Sequence, residues 1–325
     1  MIAARLTVLT SISELYATKR IRRDRKTGKI IKTNYGSETW FRVRQVNLSG
    51  FEHLCRCLDA LTGRPFSLVI RGEPLPETDL NHTRRLNHAH PDKGYPPAFA
   101  ETARQWFPID LDKIKRPVTI DAVTDPEGAI EHLIGLLPPE LHDASCWWQF
   151  TCCQNLPGYE DTLSARLWFW LTAPLDGVAL TRWARAANKV AGFRLIDDSL
   201  YRVVQVHYVA APIFEDGLRD PLPRRHGVRI GLDNAVSLVI PDPAPDDPFI
   251  GGGYVGLGVE HYLASIGGAD GFRTPMVAAI ASYYATNGTV GDPRPIKANV
   301  RQAIANADPG DPVRQTSPAT ALTTT

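Results

Sequence analysis

The sequence is poor in cysteine and methionine and carries almost no net charge. Its five cysteines include no C-x-x-C pair and are odd in number, which argues against a disulfide framework and favours a reducing intracellular setting. Cys152 and Cys153 are adjacent, and a zinc site formed with His82, His88 or His90 is an alternative for which the spacing is poor. A formal charge of +1 neither favours nor excludes a nucleic-acid partner.

Long hydrophobic runs are also absent. No apolar stretch reaches the ~18 residues that a transmembrane helix requires. Polar residues soon follow residues 1–5, so the start of the sequence lacks the apolar region of a signal peptide. We therefore expect a cytoplasmic protein with no membrane partner.

The sequence does have an ordinary globular composition and one strongly basic stretch. Its 325 residues, 43% hydrophobic and 22% charged, are enough for one large or two ordinary domains. Between Lys19 and Lys32, eight basic residues accompany a single acid, Asp24. Such a run predicts a solvated loop or hairpin, with a phosphate-contacting patch as the alternative.

The pattern of apolar residues predicts an α+β fold. Strands are expected at 5–10, 39–46, 66–72, 146–151, 163–171, 200–210 and 227–232, and helices that begin at Ser49, Asp125 and Asp176 are expected to end at 61, 137 and 191. Residues 73–104 are expected to form a long polar loop. The predicted organisation is one domain over 1–240, a proline-rich linker at 241–253, a small helical segment at 254–308 and a disordered tail at 309–325.

Two carboxylates one residue apart, Asp110 and Asp112, close an apolar run. Side chains at i and i+2 of a strand share a face, so the two aspartates are expected side by side, with Ile109 and Leu111 turned into the core. Adjacent carboxylates repel each other unless a cation lies between them, and Mg²⁺ prefers such oxygen ligands. The alternative is a surface strand end that carries two aspartates by chance.

Two further motifs follow in order along the chain. Ser164-Ala165-Arg166 leads into an apolar strand, and Asp197-Asp198-Ser199-Leu200-Tyr201 is followed by His207. The order resembles the archaeo-eukaryotic primase superfamily, the primase-polymerases, which have an Asp-x-Asp motif, a Ser-x-His motif opening a strand and a third Asp in an Asp-x-x-hydrophobic-Tyr context. The match covers roughly residues 66–215, and the flanks look like the N-terminal primase domains of prophage and plasmid replication proteins.

The resemblance implies a primase-polymerase core in residues 1–240: an RRM-like mixed or antiparallel sheet with flanking helices and an N-terminal αβ unit. It implies that Asp110, Asp112 and Asp197 are catalytic and hold two divalent ions, Mg²⁺ or Mn²⁺. Asp198 fits the third position only with a shift of one residue. Nucleotide-binding residues would be Ser164, Arg166 and His207, and DNA-binding residues would be Arg84 and Arg85.

Arg166 departs from the family pattern, which has histidine at this position. Arginine can hold a triphosphate with a bidentate fork but cannot donate a titratable proton near neutral pH. A surface salt bridge is the structural alternative for Arg166, and a satisfied core histidine is the alternative for His207.

The predicted function is a DNA primase/polymerase of a mobile element that makes or extends primers on a single-stranded DNA template from NTP or dNTP substrates. The sequence has no Walker-type G-x-x-x-x-G-K-[ST] motif, so a replicative helicase would be a partner in trans or lie outside this chain. A catalytically impaired, primase-fold DNA-binding module of a replication initiator is the main alternative. A metal-dependent nuclease is the third.

Overall fold

A computed structural model of the chain describes residues 4–33, 36, 38–90, 93–242, 258–267, 272–287 and 294–307. The chain divides into two units, Met1–Pro241 and Asp242–Thr325. Apart from residues 241 and 242, the predicted linker lies outside the described residues, and so does the predicted tail at 309–325.

The first unit mixes strands and helices, which confirms the predicted α+β class. Its strands are β1 (Arg5–Ser11), β2 (Arg20–Arg23), β3 (Ile30–Lys32), β4 (Trp40–Asn47), β5 (Ser67–Ile70), β6 (Glu73–Pro74), β7 (Thr83–Arg84), β8 (Phe99–Ala100), β9 (Arg104–Lys115), β10 (Cys146–Phe150), β11 (Thr162–Leu175), β12 (Ile213–Phe214) and β13 (His226–Arg229). Its helices are α1 (Phe51–Thr62), α2 (Pro126–Gly135) and α3 (Gly177–Ala191), with 3-10 turns at Pro139–Leu141 and Asp198–Tyr201.

Two four-stranded antiparallel sheets organise this unit. The first has the order β5-β1-β4-β7, and the second, here called the central sheet, has the order β13-β10-β11-β9. The basic stretch folds as the antiparallel hairpin β2–β3, and β12 pairs in parallel with β2. The hairpin therefore pairs with a segment that follows the Asp197–Tyr201 motif in the sequence.

Successive residues of the long strands of the central sheet point to opposite sides, and each side packs against its own apolar core. On one face, Phe107, Ile109 and Leu111 of β9 pack with α2 and α3. On the other face, Trp106 and Trp168 pack with residues of α1 and β1. The second face changes character toward Asp110, where the tryptophans give way to charged side chains.

Helix boundaries follow the capping residues at two of the three predicted starts. The Asp125 and Asp176 carboxylates accept hydrogen bonds from the backbone N–H groups of Gly128 and Ala179, at 2.8 and 2.7 Å. The predicted start at Ser49 is wrong by one residue, since Gly50 is the N-cap of α1. The hydroxyl of Ser49 instead lies 3.3 Å from the ring of His53.

The extended segment predicted at 200–210 is wrong. Residues Asp198–Tyr201 form a 3-10 turn, and between residues 202 and 210 the chain pairs with a strand at one bridge, between Val69 and His207. The Asp197 carboxylate accepts a hydrogen bond from the backbone N–H of Ser199 at 3.0 Å. Such a local bond gives the backbone an alternative to strand pairing.

The second unit has three helices among its described residues: α4 (Val259–Ala264), α5 (Arg273–Asn287) and α6 (Arg294–Asn306). They enclose a small apolar core. Its buried members are Leu263, Ile266, Met276, Ala279, Ile296 and Val300. Across the described parts of both units, none of the helices combines the length and apolar character that a membrane crossing needs.

Glu38 holds the start of β4 through four hydrogen bonds. Its carboxylate accepts from the Ser11 hydroxyl at 2.6 Å and from the backbone N–H groups of Ser13, Thr39 and Trp40 at 2.9, 2.8 and 2.9 Å. Burial alone would raise the pKa of this carboxyl, but the hydrogen bonds outweigh it and lower the pKa to about 2.

Glu38→Gln should therefore destabilise the protein in a pH-dependent way. A carboxyl whose folded pKa is depressed contributes stability above its unfolded pKa of 4.5, and loses it as the pH falls toward 2. Because much of the group is near solvent, we expect a loss of only about 1 kcal/mol at neutral pH. Urea denaturation at several pH values measures it; a gap between wild type and variant that stays constant down to pH 2 would contradict the assignment.

Candidate active site

A β-bulge at the end of β9 presents the Asp110–Asp112 pair. Asp110 and Leu111 pair with Arg166 and Ala165 of β11, and the register then shifts before the next pair, Ile114 and Leu163. Two residues, Asp112 and Lys113, therefore oppose the single residue Ser164, which defines a bulge. Lys113 accommodates the extra residue by adopting a left-handed backbone conformation, with a φ of 56°.

Both aspartates lie on one face of the central sheet, as strand alternation predicts, and the bulge returns Ile114 to the core face. Ile109, Leu111 and Ile114 all belong to the core on the opposite face. Bulges commonly redirect side chains next to functional sites. The prediction that Ile109 and Leu111 turn into the core is confirmed.

Each aspartate is paired with one residue of the Ser-x-Arg motif. The Arg166 guanidinium donates to Oδ2 of Asp110 at 2.8 Å. The Ser164 hydroxyl donates to Oδ1 of Asp112 at 3.0 Å and accepts from the backbone N–H of Lys113 at 2.8 Å. The two motifs therefore meet across the β9–β11 pair, and Ser164 also fixes the bulge.

A cavity of 180 Å³ opens over this face; we call it the aspartate cavity. It is lined by Lys19, Lys32, Asp110, Asp112, Gln149, Phe150, Thr151, Cys152, Cys153, Arg166, Tyr208, Ala210 and Pro212. The segment at 208–210 is fixed over the sheet because Arg166 donates to the carbonyl of Tyr208 at 2.9 Å and Gln149 donates to that of Val209 at 2.7 Å.

The aspartate cavity combines two carboxylates with three basic side chains. Lys19 and Lys32 come from the basic hairpin, far from β9 in sequence, and Arg166 comes from β11. The sequence identified the basic run but not which of its members reach the aspartates. The deciding contact is the parallel pairing of β2 with β12, which leaves no local sequence pattern.

The predicted third carboxylate does not join the pair. Asp197 accepts a hydrogen bond from Arg194 at 2.5 Å and caps the 3-10 turn, and the described residues that line the aspartate cavity do not include it. Asp198 pairs with Arg185 at 2.8 Å. Each acid thus has an arginine partner near it in sequence, and Asp197 remains only a predicted ligand.

In the described part of the chain, no group of three or more His, Cys, Asp or Glu side chains is arranged to hold an ion. Metal binding therefore stays a prediction. The zinc alternative finds no support either. His82 stacks on Trp40 with ring centroids 4.1 Å apart, and His90 lies edge-on to Tyr95 at 6.1 Å. These histidines contact aromatic rings in their own part of the fold.

His207 lies in the protein core beside Trp106 and Trp168, and not at the wall of the aspartate cavity. Its ring is fully buried, with centroids 6.3 Å from Trp106 and 5.7 Å from Trp168. Burial, followed by the charges of Arg166 and Arg71, lowers its pKa well below the usual value. A neutral imidazole in this position does not act as a phosphate-binding cation, so its predicted role gains no support from its position.

The two predicted DNA-binding arginines have different surroundings. The Arg84 guanidinium lies over the rings of Tyr95 and Trp40, 4.5 and 5.3 Å from their centroids. Arg85 donates to the carbonyl of Val204, and burial lowers its pKa. Arg84 therefore packs on aromatic rings and Arg85 on a backbone carbonyl, and a DNA-binding role for either arginine stays a prediction.

A second, wider depression of 680 Å³ shares Asp112 with the aspartate cavity. We call it the basic depression. Its lining is Asp112, Lys113, Ile114, Lys115, Arg116, Pro117, His132, Leu136, Phe193 and Arg194. Four lysine or arginine side chains thus lie beside the second aspartate, an arrangement that sequence spacing alone did not reveal.

No protein-family model matches the chain, and no curated protein matches it. Comparison with solved structures pairs it with the AEP domain of the primase-polymerase of cyanophage S-2L, at 14% identity over 72% of this chain and 85% of that chain. The TM-score of this pair is 0.29. A likeness of this degree assigns no activity to the chain.

Proposed function

We propose that this protein is a metal-dependent nucleotidyltransferase that makes or extends primers on single-stranded DNA. The carrying observation is the aspartate cavity, where Asp110 and Asp112 face Arg166, Lys19 and Lys32 across a small space. A divalent cation bound to a triphosphate needs this mixture, carboxylates for the cation and basic groups for the phosphates. The mobile-element setting, the RRM-like core and a helicase partner belong to the same proposal.

One carboxylate oxygen of the pair is suited to bind a hard cation. Oδ1 of Asp110 is buried and has no hydrogen-bond partner in the described part of the chain, and a buried unpaired acceptor is costly unless something binds it. Asp110 and Asp112 would be ligands, and Asp197 would join them only if its segment moves. A bound ion would activate the attacking 3′-hydroxyl and stabilise the leaving pyrophosphate.

Basic side chains around the pair would position the triphosphate. Arg166 has a planar fork that matches phosphate oxygens, and the salt bridge to Asp110 holds that fork at the cavity wall. Lys32 and Lys19 would add positive charge from the hairpin side. Ser164 fixes Asp112 and the bulge, so it would position Asp112 as a metal ligand and would not contact the nucleotide itself.

The basic depression is the surface we assign to the DNA strand, because phosphate backbones are bound by clustered lysine and arginine. Lys115→Ala should weaken binding of single-stranded DNA about equally for all sequences and reduce the slope of log affinity against log salt by about 1. Fluorescence anisotropy over a salt series measures both quantities. Arg56→Ala, which removes an exposed arginine from α1, is the matched control; equal slopes for Lys115→Ala and wild type would contradict the assignment.

The proposal is tested by incubating the purified chain with a single-stranded template, labelled nucleotides and Mg²⁺ or Mn²⁺. We expect products that require template, nucleotide and metal together. Loss of labelled DNA without any nucleotide requirement would indicate a nuclease instead.

A DNA-binding module without catalysis is the second candidate, and one observation favours it. Asp110 is neutralised by Arg166, Asp112 is bonded to Ser164, and Asp197 is paired with Arg194. A protein that binds single-stranded DNA through the basic depression but yields no product under any metal condition would belong to this class.

A further inference from the structure

Two adjacent cysteines and a lysine meet at the wall of the aspartate cavity. The sulfurs of Cys152 and Cys153 are 3.6 Å apart, and the Nζ atom of Lys32 lies 3.0 Å from Sγ of Cys153. Lys32 belongs to the basic hairpin, while the cysteines are separated from the end of β10 by one residue. The contact between ammonium and sulfur is therefore made by the tertiary fold.

These contacts favour the thiolate form of Cys153. Hydrogen bonding from Cys152, followed by the hydrogen bond and charge of Lys32, outweighs burial and lowers the pKa of Cys153. All five cysteines lie in described ranges, and the pKa of each of the other four is raised. Burial raises the pKa of Cys55, Cys57 and Cys146, and the bond to Cys153 raises that of Cys152.

Both sulfur-bearing side chains line the cavity, although Cys153 is only 7% exposed overall. A cavity of 180 Å³ is large enough to admit a small oxidant. A thiolate beside a cation, with a second thiol in contact, is the arrangement of redox-sensitive cysteines. Cys57 is partly exposed but has no such lysine contact among the described residues.

We propose that Cys153 and Cys152 form a peroxide-reactive pair, a site that goes beyond the nucleotidyl-transfer proposal and does not depend on it. The Cys153 thiolate attacks one oxygen of hydrogen peroxide, the O–O bond breaks, and the leaving hydroxide takes a proton to become water. Cys153 is then a sulfenic acid. The Cys152 sulfur attacks it, forming an S–S bond and releasing a second water, so that peroxide is reduced and the two thiols are oxidised.

The resulting disulfide should be easily reversed. Adjacent Cα atoms are about 3.8 Å apart across a trans peptide, whereas disulfides usually span about 4.4–6.8 Å between Cα atoms. A bridge below that range is strained, and strained disulfides are the readily reduced ones. A small dithiol should therefore restore both thiols.

The test treats the purified full chain with hydrogen peroxide and follows it by intact mass and peptide mapping. Wild type should lose two hydrogens, located to Cys152 and Cys153 and recovered with a dithiol. Cys152→Ser should stop at a sulfenic acid that dimedone traps on Cys153. Lys32→Met should slow the reaction roughly tenfold, since it removes a charge-assisted hydrogen bond to the thiolate, while Cys57→Ser should react as wild type.

Competition labelling within wild type keeps the test independent of how the variants fold. Under limiting peroxide Cys153 should be oxidised before Cys57 in the same molecules. Oxidation of Cys57 at the same rate or faster would overturn the proposal. So would a Cys153 sulfenic acid that never yields a disulfide in wild type.

Discussion

Replacing Asp110 and Asp112 together with asparagine should abolish template-dependent nucleotide incorporation, with a rate loss of about a thousandfold or more. Asparagine keeps the size of each side chain and removes the charge that would hold a divalent cation. The Ser164 hydroxyl can still donate to the amide oxygen at position 112, so the bulge should survive. Incorporation of labelled nucleotide on a single-stranded template, with Mg²⁺ and separately with Mn²⁺, measures the effect.

Asp161→Asn is the matched control, because this aspartate is exposed and lies outside the lining of both the aspartate cavity and the basic depression. It should incorporate nucleotide like wild type. Circular dichroism of the double variant should match wild type, since neither aspartate is itself a buried residue. A double variant that is folded and incorporates nucleotide at the wild-type rate would show that Asp110 and Asp112 do not form the metal-binding site.

Trp168→Ala should destabilise the protein by about 3–5 kcal/mol, the usual cost of removing a large aromatic side chain from a core. Trp168 is fully buried, and its ring centroid lies 5.4 Å from that of Trp106 and 5.7 Å from that of His207. Its loss would leave a cavity between the central sheet and the layer formed by α1 and β1. Urea denaturation followed by far-ultraviolet circular dichroism measures the change.

Trp168→Phe should cost much less than Trp168→Ala. Phenylalanine refills most of the space, and the lost indole N–H has no hydrogen-bond partner in the described structure, so no bond is broken. Val190→Ala, at a position that is 90% exposed, should fall within about 0.5 kcal/mol of wild type. If alanine at 168 were as mild as alanine at 190, the tryptophan cluster would not be a core.

Local patterns in the sequence predicted the strand that carries the aspartates and the residues on its two faces. Alternation placed Ile109 and Leu111 in the core and Asp110 on the opposite face, because period 2 survives wherever one face is buried. Asp125 and Asp176 identified their helices because the cap is a contact between a side chain and the next turn of backbone. These features depend only on neighbouring residues.

Features that depend on distant contacts were missed, and one local turn was misread. Nothing near Lys32 in sequence indicates that it reaches Cys153, since the hairpin is positioned by the pairing of β2 with β12. The third motif suggested an extended strand near Asp197, but the pairing with Arg194 and the cap to Ser199 favour a compact turn. His207 has the spacing of a ligand and the burial of a core residue.

We expect Asp110 and Asp112 to bind a divalent cation together with a nucleotide. Electron paramagnetic resonance of Mn²⁺, titrated into the protein with and without a nucleoside triphosphate, tests it most directly. Wild type and Asp161→Asn should bind Mn²⁺ more tightly when the triphosphate is present, and the Asp110→Asn/Asp112→Asn variant should lose this gain. Equal Mn²⁺ binding by wild type and the double variant, with the triphosphate present, would contradict it.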